Sequence, residues 1–515
     1  MARAETSECN YSVVWFKRDL RCHDHAALID AARSGPILCL YIVEPTLWAQ
    51  ADAARQHYHF VRESLQDLAM ALRQLGGDLR VFVGEAVEVL ACIYACEPFS
   101  ALFSHEETGN HASYQRDLAV KAWCKSQQIP WHEQRQFGVL RGLSNRNDWQ
   151  AGWKLHMTSS QIRLPEALLF FTLPLAQLPL PSADEFRLPA HEPRQRQHGG
   201  RRQALQVLHE FLNERSRQYR GGISSPLSAT SACSRLSPYL AFGCLSLREV
   251  VQATHIQIKQ LPASALQQRR GLEAFISRLH WHCHFIQKLE SEPELEWQNL
   301  HRGYDGLREN DWNEDHFQAL VSGRTGWPLV DACVMMLHHT GWLNFRMRAM
   351  LVSVAAYPLW LHWRPVGEWL AREFLDYEPG IHWSQLQMQS GTTGINTPRI
   401  YNPIKQAQDH DPHGHFVRRW LPAMRRVPDS WLLEPWRMPD SVQKRCGITV
   451  GKEIPEPLLD LSEATREAKT KLLSRRAQPE VRASKAAIIE RHASRKKTPA
   501  RRAAPEASTQ LSWEL

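Results

Sequence analysis

The chain has 515 residues, 43% of them hydrophobic, and a formal net charge of +8. That length suffices for two or three domains with a sizeable core. Eight Lys/Arg against one Glu lie between Arg482 and Arg502; the remainder is nearly neutral, which excludes a global basic field and leaves a local patch as the form of any nucleic-acid face.

The N-terminal third alternates strands and helices. Residues 1–11 read as a disordered arm. Ser12–Phe16 is a strand-like run that ends in the charged turn Lys17–Arg21, and Ile37–Val43 is a second strand. A helix follows over 55–75, with Phe60, Leu65, Leu68, Leu72 and Leu75 at helical spacing and Gly76-Gly77 as its stop. Leu79–Gly84 is a third strand, another helix reaches Cys96, and Ala101–Ser104 is a fourth strand. Apolar strands alternating with helices predict a Rossmann-like parallel sheet covered on both faces, here over 12–140. No G-x-G-x-x-G occurs, so no dinucleotide fingerprint accompanies it. Ligands in such sheets sit beyond the carboxyl ends of the strands, which makes Lys17–Arg21 and His105–Thr108 the turns to watch.

Residues 141–200 read as a connector in which Pro174, Pro179, Pro181 and Pro189 prevent long helices. From 201 to 445 the pattern becomes helical. Ser224-Ser225, Ser228, Thr230-Ser231 and Ser234-Arg235 lead into Leu236-Ser237-Pro238-Tyr239. Hydroxyls and backbone amides beside an arginine can cradle a diphosphate; a polar loop with a capping serine would read the same. His280, His282 and His284 alternate by two, which puts them on different helix faces and argues against one metal site. Asp331 precedes an apolar helical run that Gly341 ends, and Trp342 opens the next, which carries Arg346 and Arg348. Two helical positions are about 200° apart, so these arginines leave on different faces. Asp376 and Glu378 close an amphipathic segment, and Gly391-Thr392-Thr393-Gly394 gives a turn with hydroxyls. Acid–guanidinium pairs amid 19 tryptophans suit a flat, polar-edged ligand, although ordinary core salt bridges would look alike. From 446 to 515 the composition shifts to Arg and Lys separated by Ala, Ser and Pro, which predicts a disordered basic tail with nonspecific attraction for phosphate.

Eleven cysteines include no C-x-x-C, which argues against zinc and disulfides and fits a reducing compartment. No secretory leader is visible, and the longest apolar run, near Met350–Leu361, is short for a bilayer and contains Pro358. A soluble, cytoplasmic, monomeric protein is expected.

Several of these segments, in order, resemble the DNA photolyase/cryptochrome superfamily. They are Val14-Trp15-Phe16-Lys17-Arg18-Asp19-Leu20-Arg21 with Asp24; Ser234-Arg235-Leu236-Ser237-Pro238-Tyr239-Leu240 with Gly243; GRTGWPLVDA from Gly323; TGWLNFRMR from Thr340; and Asp376-Tyr377-Glu378 with RIYNP from Arg399. The resemblance runs from about residue 12 to about residue 440 and implies an α/β antenna domain followed by an all-α FAD-binding domain. It implies FAD phosphates on Tyr219 and the run Cys233, Ser234, Arg235, Leu236 and Ser237, with Cys233 where threonine is common. Asp376 and Glu378, flanking Tyr377, would take the ribose and the flavin edge, and Arg348 would neutralise Asp376.

The same resemblance implies that Trp281 stacks on damaged bases. Arg278 stands where many pyrimidine-dimer photolyases have glutamate, Phe345 and Ala349 stand where the (6-4) enzymes have histidines, and His382 stands against flavin N5. Trp312 and Trp363 match the distal and middle members of the electron-transfer tryptophans. Leu386 takes the proximal place, which Trp383 or Trp342 would have to fill. Beyond residue 250 only Cys283, Cys333 and Cys446 occur, too few for the iron–sulfur cluster of some members. No metal is expected. The implied function is light-driven repair of ultraviolet-damaged DNA by electron transfer from reduced FAD, with or without a second, folate- or flavin-type antenna chromophore. The alternative is a cryptochrome-type blue-light receptor.

Overall fold

The computed structural model describes residues 11–143, 146–176, 179–395 and 397–492. Five parallel strands, β1 (Ser12–Phe16), β2 (Ile37–Val43), β3 (Leu79–Val83), β4 (Ala101–His105) and β5 (Trp131–Gln134), form one sheet in the order β3-β2-β1-β4-β5. β1, β2 and β4 are wholly buried, their side chains mostly apolar toward both faces, with Ser12, Ser104 and His105 as buried polar exceptions. β5 was not expected: its sequence WHEQ is polar, and it is paired on one side only, at the sheet edge, half in solvent.

The connector contains one helix, Trp149–Thr158, that the prolines did not exclude, since they all follow it; Trp149, Trp153 and Met157 bury its inner face at i, i+4, i+8. The remainder is helical. The long Leu266–Ser291 helix is its spine and packs against Ser216–Gly222, Leu247–Gln260 and Pro379–Ser390. A Cβ on Gly380 would stand 2.6 Å from Ile286 Cα, so only glycine lets Pro379–Ser390 approach the spine this closely. Leu272, Phe275, Leu279, Cys283 and Ile286 of the spine share one core with Val14 and Phe16 of β1, so the two domains are fused by apolar packing. Pro328–Thr340 ends at Gly341 as expected, but the next helix opens at Phe345, with Asn344 rather than Trp342 before it.

The irregular tail expected from residue 446 is corrected. Leu461–Ala477 and Pro479–His492 are helices. Leu461, Ala468 and Leu472 turn inward, Ala468, Leu472 and Val481 pack with Tyr304 and Tyr357, and the Asp460 carboxylate accepts the Glu463 N–H as a cap. Three buried apolar residues in seventeen are enough for one stripe, and the basic side chains take the outer face. Residues 1–10 of the N-terminal arm and the basic cluster Arg495–Arg502 lie outside the described residues. Among the described residues no helix is long and apolar enough to cross a membrane.

Candidate flavin site and its surroundings

The helices bring the separated polar segments together. Arg348, from Phe345–Ala356, grips Asp376 with two bonds of 2.9 Å, and its Nε donates to Leu343 O. The Arg348 guanidinium also lies over the Phe374 ring at 4.1 Å. This cation, with the Ser237 hydroxyl, holds the Asp376 carboxyl below its usual range against the opposing effect of burial. Ser237, from the 233–237 segment, thus lies near Asp376. Cys233 is partly covered and burial pushes its thiol up to about 12, so it offers a neutral S–H. Arg235 sits in left-handed backbone (φ 60), stacks on Trp342 at 3.9 Å and bonds Gln197 Oε1. Leu236 is fully buried. Burial pushes the Tyr219 phenol above its usual range, against the pull of the nearby Arg278 guanidinium.

Glu378 is bound from the other domain: Arg18, in the turn after β1, donates to Glu378 Oε2 at 2.7 Å and to Ala241 O. Glu378 Oε1 is buried without a partner, as are Asn344 Oδ1 and Ser384 Oγ. Burial pushes Glu378 up to about 7, against the pull of Arg18. Its folded value thus lies above the value of about 4.3 in an unfolded chain, so its contribution to stability is full at low pH and is lost as pH rises to about 7. Thermal melts of flavin-free protein should show wild type losing ground to Glu378→Gln across that window; a difference flat with pH contradicts this.

His382 is buried, and its Nε2 donates to Gly367 O at 2.9 Å. A carbonyl only accepts, so Nε2 carries the proton. Burial lowers the ring to about 4. It is thus a neutral imidazole whose remaining Nδ1 can only accept. Tyr377 turns away from the flavin-holding set, and its hydroxyl donates to Asp52 Oδ2.

Of the tryptophans, Trp363 and Trp383 are brought together, with ring centroids 5.9 Å apart. Trp383 is thus the tryptophan whose ring meets Trp363. Trp312 packs on Phe317 and sends its N–H to Glu314; among the described residues no ring contact joins it to Trp363. Trp281 lies on the spine helix against His284 (4.7 Å) and Phe285 (5.6 Å). Phe345 is 57% exposed although it opens a buried helix.

The three spaced histidines diverge only in part: His280 and His284, one turn apart, both pack on Trp149, at 4.9 and 5.8 Å, whereas His282 packs on Phe137; His284 also takes a bond from Arg146. Their composition could not reveal Lys288, one turn beyond His284. Lys288 is buried over the Phe285 ring, and burial together with Arg146 lowers its ammonium to about 7. At the sheet's carboxyl edge the turns singled out from sequence are buried. Asp19 Oδ2 receives His25 and His105, and Lys17 and Arg116 bridge Asp117, Glu44 and Glu107. Asp19, His25 and His105 are the group of potential metal ligands among the described residues, with donor atoms within 4.8 Å of one another.

The chemistry of the set fits FAD. It offers paired carboxylates with a neutralising guanidinium, serine hydroxyls beside it, and buried acceptors with nothing to accept. Residues 275–474 match the family model described as the FAD binding domain of DNA photolyase, and residues 12–140 match that of DNA photolyase. Among curated relatives, the chain is 28% identical to a cryptochrome DASH of Gloeobacter violaceus, over 88% of this chain and 95% of that protein. It is also 28% identical to a deoxyribodipyrimidine photo-lyase of Vibrio cholerae, over 83% and 93%. Its fold is shared with the crystal structure of a class III photolyase from Agrobacterium tumefaciens (TM-score 0.77, 23% identity, 93% of this chain and all of that one). The same holds for an archaeal photolyase from Sulfolobus tokodaii described with two FAD molecules and a novel light-harvesting cofactor implied (TM-score 0.72, 24%, 90% and 99%). The two family models in chain order, on a sheet and a helical domain that bring Asp376, Arg348 and Ser237 together, mean that this chain belongs to the DNA photolyase/cryptochrome family and that its cofactor is FAD.

Proposed function

We propose that this chain is a DNA photolyase that repairs ultraviolet-induced pyrimidine lesions in DNA with light. The observation that carries this reading is one stretch of the spine helix, where Trp281, Phe285 and Lys288 follow at i, i+4 and i+7 next to Arg278, with Arg146 against His284. An aromatic face beside cations is what an extruded base and its phosphates require, because a base inside the duplex stack cannot reach a buried cofactor. Bound and reduced, FAD supplies a photoexcited one-electron donor. Asp376 and Glu378 would hold its ribose and ring edge, and Ser234, Arg235 and Ser237 its phosphates. Arg348 keeps Asp376 an anion, and buried His382 and Trp383 exclude water. Trp281 would stack on the damaged bases and hold them in place, while Arg146 draws in phosphate. A second chromophore of folate or flavin type belongs to this reading. Glu44, a buried acid with Oε2 unpartnered at the carboxyl end of β2, is its candidate anchor.

The test is direct. Reduced protein is illuminated with oligonucleotides carrying either lesion, and restored thymine absorbance is measured. Recovery on one lesion supports repair; none on either ends it. Trp281→Ala should weaken binding of damaged DNA by about 1–3 kcal/mol, measured by titration against undamaged DNA, whereas an unchanged preference would remove the stacking role.

A second reading, a blue-light photoreceptor, is favoured by two departures. Arg278 is engaged with Tyr219 where a lesion-binding acceptor is common, and Phe345 presents a hydrocarbon where a polar group would contact the lesion.

A further inference from the structure

Tyr377 lies between the two carboxylates of the flavin site, yet its side chain serves neither. Its hydroxyl accepts the Trp383 indole N–H at 3.1 Å and donates to Asp52 Oδ2 at 2.6 Å. Asp52 belongs to the α/β domain, and the same oxygen also accepts the Asn110 amide at 3.0 Å. Every donor in this chain points one way, from indole to phenol to carboxylate. The carboxylate, acceptor-only when ionised, is the end that can take a proton.

Charge placement decides where an electron hole can rest. Trp383 is buried and touches Trp363, but the Arg364 guanidinium lies over its ring at 4.7 Å. A fixed cation over the ring attracts the neutral indole and repels the indole radical cation, so a hole on Trp383 is driven onward. Trp363 offers no exit: its N–H bonds Asn299 Oδ1, a neutral amide that cannot take a proton. Tyr377 does offer one, because an oxidised phenol sheds its proton readily and a carboxylate already holds that hydrogen bond. Burial, with Asp52 and Glu296 nearby, keeps the resting phenol protonated.

We propose that Tyr377 is the terminal internal electron donor of this protein and Asp52 its proton acceptor. The oxidant is the photoexcited oxidised flavin. Trp383 gives up one electron and recovers one from Tyr377. The Tyr377 Oη proton moves to Asp52 Oδ2, leaving a neutral phenoxyl radical and a neutral carboxylic acid. One electron has then gone to the flavin and no net charge remains on either side chain of the original ion–phenol pair. The relay rests on the FAD assignment and holds whether repair or signalling follows.

The experiment is electron paramagnetic resonance of the full chain carrying oxidised FAD, frozen under blue light. The visible flavin spectrum, read first, reports whether the cofactor is bound and whether each variant has kept its site; the identity of the radical reports the relay. Wild type is expected to give a neutral tyrosyl signal. Tyr377→Phe is expected to lose it and to show a tryptophanyl signal instead. Asp52→Asn keeps the phenol but removes the proton acceptor, and is expected to lose the tyrosyl signal as well. A tryptophanyl signal alone in wild type, or a tyrosyl signal that persists in Tyr377→Phe, overturns the proposal. A persistent tyrosyl signal in Asp52→Asn overturns the role of Asp52. A chain that stays colourless with FAD overturns the FAD assignment and the relay with it.

Discussion

Arg348→Ala is expected to destabilise the protein by about 3–5 kcal/mol and to release the flavin, because it leaves the Asp376 carboxylate buried beside a hole where its two bonds were. Arg348 also loses its bond to Leu343 O and its stacking on Phe374, so a lysine cannot replace it: an ammonium is a point charge without the planar fork. Denaturant titration gives the stability and the visible spectrum gives the flavin content. The double substitution Arg348→Met with Asp376→Leu separates the two effects. Removing both charges should restore much of the stability, since a buried ion pair is worth little against apolar isosteres, while the flavin remains absent. A double variant that binds FAD normally would show that Asp376 does not hold it.

The second large effect is expected at the seam between domains. Asp24, in left-handed backbone (φ 51), accepts Arg248 through both Nε and Nη2, the Ser246 hydroxyl, and the Ile162 N–H. Asp24→Ala leaves a buried arginine without its counter-charge and puts alanine where the backbone resists it, so a loss of about 3–5 kcal/mol follows. Asp24→Asn, which tolerates that backbone and still accepts one bond, should lose less. Arg248 and Ser246 hold the Asp24 carboxyl below its usual range. A lowered folded value means that the stabilisation is full above the unfolded value of about 3.9 and is lost as pH falls through the folded one. Acid titrations of wild type and Asp24→Asn should therefore converge at low pH; curves that stay parallel would remove the ionic part of this account.

The extent to which the chain could be read before it was folded follows from how local each signal is. Strands β1 to β4 are largely apolar runs bounded by turns, and each was visible within a few residues. β5 was not, because WHEQ has neither the apolar run nor a clean alternation and becomes a strand only when β4 offers its edge. The tail helices failed for the same reason in reverse: composition averaged over seventy residues hides Ala468 and Leu472, which acquire meaning only against Tyr304 and Tyr357, and Leu461, which joins the helical core. Asp376, Arg348 and Ser237 were legible as chemistry, since acids, a guanidinium and hydroxyls announce themselves, although only the fold brings them together. The cross-domain partners were not legible. Arg18 and Glu378 are 360 residues apart, and Asp52 and Tyr377 are 325 apart, so no local pattern links them. The resemblance places His382 against the flavin, but its tautomer could not be read, because the Gly367 carbonyl that fixes it lies on another helix. Even that contact depends on a small residue, since a Cβ on Gly367 would stand 2.4 Å from Trp383 and Leu386.

One measurement bears most directly on all of this: the visible absorption spectrum of the full chain reconstituted with oxidised FAD, recorded before and after blue light with a sacrificial reductant present. A stoichiometric flavin spectrum that bleaches under light in wild type, and that is missing in Arg348→Ala, is the predicted result. A wild-type protein that emerges colourless, or whose flavin spectrum is indifferent both to light and to the loss of Arg348, would contradict it.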